Sequence, residues 1–455
     1  MKTFFLLLTS LLVLQNVSSQ TGTTFINQGG GAYTSVPTKV CLTPDERTAI
    51  QEQLKNNISQ LQSTGVFPIS TSENLIEFNW PLRKAPELNY NNYYAITGYV
   101  DQDNTSQILD YNCGTTTYDG HQGIDYITWP FPWYMYENDL IEVVAAADGI
   151  IIGKDDNQDD DHCSWMGTWN AIYIQHNDGS TAWYGHLKKN SLTNKAIGQT
   201  VVAGEYLGFL ASSGRSTAPH LHFEIYDNNG NLRDPYAGDC NNLNQESWWT
   251  NQIPYNISRI NTILTHDAEP LLGCPGENEA TNFSNHFMPF QTVYMGSYFQ
   301  DQSIGDLATY RIRRPNNSVW NTWTHTSPDT YDASYWWWSW ILPELGPFGT
   351  WTFEVSYQGV THQHEFNYLE ELTTTENIAS TESIELYPNP TTGILNIRGL
   401  NTENSRIKIL DSIGKIVDQP KSEDHQIDLS NLANGLYFIV IETDKLQISK
   451  RIIKL

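Results

Sequence analysis

His220-Leu-His-Phe-Glu-Ile-Tyr226 reads as a β-strand, closed by the turn residues Asn228-Asn-Gly-Asn231. Residues two apart on a strand face the same side, so His220 and His222 project together. The pattern upstream is β as well, from Cys113 to Tyr236. Ala171 to Gln175 and Thr181 to His186 flank Asn177-Asp-Gly-Ser180, a strong hairpin signal. Leu140 to Lys154 predicts two short apolar strands broken at Asp148-Gly149, and Thr200 to Leu210 contains a turn at Ala203-Gly204. The fold class is therefore mainly β.

His121-Gln-Gly-Ile-Asp125 precedes this strand by 95 residues. A His/Asp/His set suits zinc, at ~2.0–2.2 Å, and leaves one tetrahedral corner open. Only one of His220 and His222 needs to bind metal; the other is held close enough to act on substrate or bound water. Gly123 is expected to permit a sharp backbone path between His121 and Asp125. Tyr184-Gly-His186 ends a hairpin strand and offers a further imidazole. A fourth protein ligand in the open corner would contradict a catalytic reading. The chain has a second H-x-H, His362-Gln-His364, but no suitable Asp precedes it, and it reads as a solvated strand face. His162, His176, His266, His286, His325 and His425 show no partner in sequence.

The set His121-x-Gly-x-Asp125, Trp183-Tyr-Gly-His186-Leu, Val202-Ala-Gly-Glu-Tyr-Leu-Gly208, Ser212-Ser-Gly214 and Pro219-His-Leu-His-Phe-Glu224 resembles the lysostaphin/β-lytic type of zinc metallopeptidase in order and spacing. The resemblance covers about residues 113–236 and implies an antiparallel two-layer β catalytic domain there. It implies a Zn2+ cofactor held by His121, Asp125 and His222, with His186 and His220 as catalytic histidines. It also implies a peptide substrate in peptidoglycan stems or cross-bridges. Two other readings stand beside it: a protease of Gly-rich proteins, and a non-enzymatic wall-binding or adhesion protein.

A chain of 455 residues accommodates several domains. Residues 1–19 read as a secretory signal peptide, with Lys2, an apolar Phe4 to Leu14, and small residues at Val17 and Ser19. Residues 20–112 form a helical and extended segment, read as a pro-region covering the groove. Its helix is expected from Thr43 to Gly65, with Thr43 as cap and Ile50, Leu54, Ile58 and Leu61 at helical spacing. The metallopeptidase domain takes residues 113–240, an accessory β-sandwich 241–369, and a polar linker 370–384. Residues 385–455 form a second small β module.

That last module carries Leu386-Tyr-Pro-Asn-Pro390, Gly393, Gly414, Gly435-Leu-Tyr-Phe438 and a final Lys454-Leu455. It resembles the C-terminal sorting domain of type IX secretion cargo. This implies type IX machinery as a partner and a secreted, extracellular or outer-membrane-surface location reached through the periplasm. No transmembrane anchor is predicted, and a monomer is expected. The net charge of −26 disfavours nucleic acid as a partner. The module itself is balanced, with 9 basic and 9 acidic residues from Glu385 on, so the acidity sits upstream.

Five cysteines are present, none in a C-x-x-C pair. Export favours disulfides, and the pairs expected are Cys240–Cys274 and Cys41–Cys113, leaving Cys163 free. Tyr335-Trp-Trp-Trp-Ser-Trp340 reads as core in which at least one Trp lies near the surface, since neighbours on a strand face opposite sides; the alternative is a sugar-stacking platform. The acidic run from Asp155 to Asp161 reads as a solvated loop, with calcium as the alternative.

Overall fold

The computed structural model describes residues 25–33, 41–66, 76–165, 167–274, 279–370, 385–398, 406–411, 416–420, 426–442 and 447–455. The expected signal peptide, nearly all of the linker and His425 lie outside them. Among the described residues no helix is long and apolar enough to cross a membrane.

The central domain is built on one antiparallel sheet. Its strands run in the order Thr200–Val201, Gly149–Asp155, Ala171–Gln175, Thr181–Gly185, His220–Tyr226, Ile124–Thr128 and Tyr94–Gly98. A second layer of three strands, Tyr206–Phe209, Ile141–Val144 and Leu82–Lys84, lies beside it. The break at Asp148-Gly149 sends the two predicted apolar strands into different sheets. The shared core includes Ile124, Tyr126, Val143, Ile151, Ile174, Tyr184, Leu207, Leu221 and Phe223. All seven residues of His220–Tyr226 are buried.

The segment before residue 113 is not one unit. Tyr94–Gly98 hydrogen-bonds to Ile124–Thr128, and Leu82–Lys84 to Ile141–Val144, so both complete the central domain. Their apolar residues Leu82, Tyr94 and Ile96 are needed to close its core. What stands apart is the helix Pro44–Ser63. Thr43 caps it in a reciprocal box: its hydroxyl accepts from the Glu46 backbone N–H at 3.3 Å, and the Glu46 carboxylate accepts from the Thr43 N–H at 2.8 Å. Leu54 is the helix's buried residue, packed with Ile152, Trp169, Tyr173 and Trp183.

Beyond the central domain, Arg259–His266, Thr292–Gln302 and Tyr331–Ile341 form a sheet with Asn27–Ala32 at its edge. Val319–Thr326, Leu307–Arg313, Gly349–Tyr357 and Val360–Tyr368 form another. Trp336, Trp337, Trp338 and Trp340 are all buried, which corrects the expectation of a Trp near the surface. The cause is the glycine-rich strand Asn27–Ala32, which pairs with this stretch and sets Gly29 opposite Trp337. A Cβ on Gly29 would sit 2.6 Å from the Trp337 ring, so only glycine lets the strand lie that close.

Among the described residues the C-terminal module has seven strands in two sheets around Leu395, Ile397, Ile407, Ile409, Ile427, Leu429, Tyr437, Ile439, Ile441 and Ile452.

The disulfides are Cys113–Cys240 and Cys163–Cys274, with Cys41 free and buried. Both expected pairs are thereby overturned, and so is the free Cys163. Cys240 is brought to Cys113 because its N–H bonds to the Tyr111 carbonyl at 2.9 Å and Gly238 packs on the Tyr111 ring. Cys41 is drawn into the central domain with the cap of its helix.

Candidate functional site

Strand pairing assembles the site. His222 lies directly across from Asp125 on one neighbour and from Gly185 on the other, one residue before His186. His220 shares the face of His222, as the two-residue period requires. His121 enters from a turn closed by its N–H to the Tyr118 carbonyl at 3.0 Å, and the Tyr118 ring stacks on it at 4.1 Å. His121, Asp125, His186, His220 and His222 are all brought together, and each is at most 4% exposed.

Two glycines make room for the imidazoles. A Cβ on Gly123 would lie 2.5 Å from His222 Nε2, and one on Gly98 would lie 2.8 Å from His121 Cε1. Gly123 is not among the residues of positive φ. Its requirement is therefore clearance rather than the unusual backbone path expected from sequence. His186 itself has φ 64, the left-handed region that non-glycine residues avoid.

Each histidine has one ring nitrogen committed to a protein acceptor. His121 Nδ1 donates to the Tyr99 carbonyl at 2.7 Å, His186 Nδ1 to the Ser213 carbonyl at 2.6 Å, and His220 Nδ1 to the Ala218 carbonyl at 2.8 Å. His222 Nε2 donates to Glu224 Oε1 at 2.7 Å. Carbonyls only accept, which sets the tautomers of His121, His186 and His220 and leaves the other nitrogen of each ring as the working atom. His222 faces a carboxylate at both nitrogens, Glu224 at Nε2 and Asp125 Oδ1 at Nδ1, so its Nδ1 becomes a ligand only when a cation takes the place of the proton. The Ser212-Ser-Gly214 motif thus supplies the carbonyl that orients His186.

The working atoms converge. His121 Nε2 and His222 Nδ1 lie 3.3 Å apart, with Asp125 Oδ1 at 3.2 Å from the first and 2.7 Å from the second. The His121 Nε2 lone pair and the Asp125 oxygen repel at such range unless positive charge lies between the three groups, either a proton on His222 Nδ1 or a divalent cation that replaces it and is ligated by all three. His186 Nε2 and His220 Nε2 are buried without a hydrogen-bond partner, and their rings are 4.4 Å apart. The donor set fits a metal ion.

The electrostatics agree. Burial would raise the Asp125 pKa, yet His121, His220 and His222 hold it well below the usual carboxylate range. Burial would lower that of His222, yet Cys41 and Asp125 push it well above the ordinary imidazole value. A cluster that draws a proton this strongly is a site for positive charge. Glu224 is driven down to about 2, against its burial, by Arg47 and His222. It also accepts from the Tyr226 hydroxyl at 2.7 Å.

Four contributors were not singled out from sequence. Glu224 was legible, because it lies two residues beyond His222 on the same face. The Tyr99 carbonyl and Tyr118 carry no sequence signal. The fourth is Cys41, whose Sγ lies 3.6 Å from His222 Nδ1 and 3.4 Å from the Tyr118 hydroxyl. The ligand atoms of Cys41, His186, His220 and His222 all fall within 4.8 Å of one another.

The second H-x-H lies on the strand Val360–Tyr368, where His362 bonds to Asn91 at 2.8 Å and His364 to Thr265 at 3.0 Å. The acidic run is engaged by protein donors. Asp155 accepts from Tyr173, Asp156 from the Asn190 N–H, Asp159 from Lys189 and Asp160 from Tyr136.

The chain carries a Peptidase family M23 domain over residues 120–235 and a secretion system C-terminal sorting domain over residues 385–455. Glycyl-glycine endopeptidase ALE-1 of Staphylococcus capitis is 34% identical over 121 residues, 25% of this chain and 28% of that protein. DD-carboxypeptidase/endopeptidase Mpg of Neisseria meningitidis serogroup B is 42% identical over 82 residues, 18% of this chain and 16% of that protein. Lysostaphin of Staphylococcus simulans is 42% identical over 73 residues, 15% of this chain and 14% of that protein. The chain thus spans under a third of the length of each of these relatives. A zinc containing peptidase from Vibrio cholerae is 25% identical over 35% of this chain and 39% of that one, with a TM-score of 0.23.

Proposed function

We propose that this is an exported zinc-dependent endopeptidase that hydrolyses peptide bonds in the stem or cross-bridge peptides of peptidoglycan. The observation that carries the reading is the convergence of His121 Nε2, His222 Nδ1 and Asp125 Oδ1, with the remaining nitrogens of both imidazoles already committed. These three residues hold the metal. When bound there, zinc supplies a Lewis acid for the scissile carbonyl and a water whose pKa falls toward ~7.

The chain's own residues do the rest. His186 and His220 are fixed at Nδ1 by backbone carbonyls, so each acts at Nε2. Each accepts a proton there and can return it to the leaving amine or donate to the developing oxyanion. Glu224 holds the His222 ring in the tautomer that ligates through Nδ1. The Tyr99 carbonyl does the same for His121 through Nε2. The relatives named for endopeptidase action support peptidoglycan as the substrate, and the sorting domain supports type IX export to the outside or the outer-membrane surface.

The test is zymography on purified cell wall with and without chelator, followed by mass spectrometry of the released fragments. Clearing that chelation abolishes and zinc restores is expected, with fragments cut within the peptides. Cleavage of elastin-like Gly-rich protein but not of wall would move the substrate to that class. Wall binding with no cleavage, zinc-loaded, would overturn the enzymatic reading.

A further inference from the structure

We propose that Cys41 is an inhibitory fourth metal ligand, and that the segment carrying it, Cys41 with the helix Pro44–Ser63, holds the peptidase latent. The inference rests on the zinc reading above. A catalytic zinc keeps one corner for water or substrate, whereas four protein ligands make a closed site, so the catalytic reading holds only because the fourth ligand sits on a segment that can leave. Here the Cys41 sulfur meets the metal triad at His222, 3.6 Å from its Nδ1, and forms with His186, His220 and His222 a set of ligand atoms within 4.8 Å of one another that shares His222 with the set His121, Asp125 and His222.

Three independent observations point the same way. Cys41 is the one cysteine of the five outside a disulfide, and it is 3% exposed. His186 Nε2 and His220 Nε2, the atoms that must meet substrate, are buried without a hydrogen-bond partner beside it. And the whole cluster is sealed, with none of its five side chains more than 4% exposed. An endopeptidase that must take in a peptide strand cannot work in that state.

The segment is docked on the domain from outside its sheets. Arg47 pairs with Glu224 and donates to the Tyr226 hydroxyl at 2.6 Å. Arg215 pairs with Glu46, the residue that also caps the helix. Asn57 donates to the Ile152 carbonyl at 2.8 Å. Gly153 is glycine where a Cβ would lie 2.6 Å from Leu54. No strand of the central domain comes from this segment, so it can leave without breaking a ladder. On departure Cys41 would leave as a thiol, taking its proton from solvent, and the corner it had held would be open to water.

The test uses the full chain and its Cys41→Ala variant, each loaded with zinc and with cobalt. Wild type is expected to hold one zinc with a sulfur scatterer at about 2.3 Å in X-ray absorption, and to show thiolate-to-cobalt charge transfer when cobalt-loaded. Cys41→Ala is expected to keep the zinc and lose both sulfur signatures. Its wall cleavage should rise by about tenfold or more, the factor set by a competent fraction of one chain in ten. Zinc without sulfur in wild type, or equal cleavage by both proteins, overturns the proposal. Absence of zinc from both overturns the zinc reading itself, and latency with it. Should Cys41→Ala fail to fold, Arg47→Ala keeps the thiol but loosens the helix. It is then expected to weaken the charge-transfer band and raise cleavage, and no change in either refutes latency.

Discussion

Replacing Glu224 by Gln removes one negative charge from behind His222 while keeping the side chain's size. In the structure Glu224 Oε1 accepts from His222 Nε2 at 2.7 Å and Glu224 Oε2 from Tyr226 at 2.7 Å, with Arg47 as ion partner. The amide oxygen of Gln can still accept from His222, but its NH2 group must then face the Arg47 guanidinium, donor against donor. The alternative flip leaves His222 Nε2–H without an acceptor. Either way the imidazole becomes less basic and less firmly oriented. Loss of such a partner costs about 10–100-fold in metal affinity, or ~1.4–2.7 kcal/mol. The measurement is zinc competition against a chromogenic chelator. It is made in the Cys41→Ala background, so that the thiol does not contribute. Arg47→Ala is the control, because it disturbs the same ion pair but leaves the Glu224–His222 bond, and a smaller loss than that of Glu224→Gln is expected of it. An unchanged zinc affinity in Glu224→Gln, or a loss equal to that in Arg47→Ala, refutes the argument that Glu224 acts through His222.

His222→Ala should lose both zinc and cleavage, whereas His186→Ala should keep zinc and lose on the order of 10²–10³ in turnover; zinc retained in His222→Ala would sink the ligand assignment. Gly123→Ala should lose zinc with an unchanged far-ultraviolet CD spectrum, because its Cβ would lie 2.5 Å from His222 Nε2; full zinc occupancy would contradict the clearance argument. Acid stability should depend on His266, which is buried, donates to the Thr281 carbonyl and has its pKa lowered by burial from 6.5 to about 3. The unfolded chain binds the extra proton between those values. This contribution is therefore complete above pH 6.5 and lost as pH falls toward 3. A Tm-against-pH profile of His266→Gln should be flatter over that range, and an identical slope would refute it.

How much of this could be read from sequence depended on whether the information was local. The helix was legible because Thr43, Pro44 and Glu46 mark its start within four residues and Leu54 lies on its apolar stripe. The hairpin at Asn177-Asp-Gly-Ser180 was legible for the same reason, as the strands 171–175 and 181–185 flank it. His220 and His222 could be placed on one face from strand periodicity alone. The convergence of His121, Asp125 and His186 on them could not. It follows from the cross-strand register, and spacing along the chain does not determine which strands become neighbours. The family's motif order supplied what geometry from sequence could not.

The disulfides and Cys41 show where that aid ends. Cys113 meets Cys240 and Cys163 meets Cys274 across 127 and 111 residues, and separations of that size favour no pairing over another. The expected Cys41–Cys113 bridge would have occupied the thiol that instead stands beside His222. The five cysteines form only two pairs, so one thiol is left over, and the identity of that thiol decides whether the odd cysteine is chemically idle or aimed at the metal site. The deciding signal is in the helix that follows it. Arg47 needs a buried anion and finds Glu224, Glu46 needs a cation and finds Arg215, and Gly153 is shaped to Leu54. Together these contacts bring the residue just before the cap onto the histidines. The same Glu224 therefore serves two masters. In the proposed reading it orients His222 for the metal and anchors the helix over the site, so a change at this one carboxylate is expected to weaken metal binding and latency together.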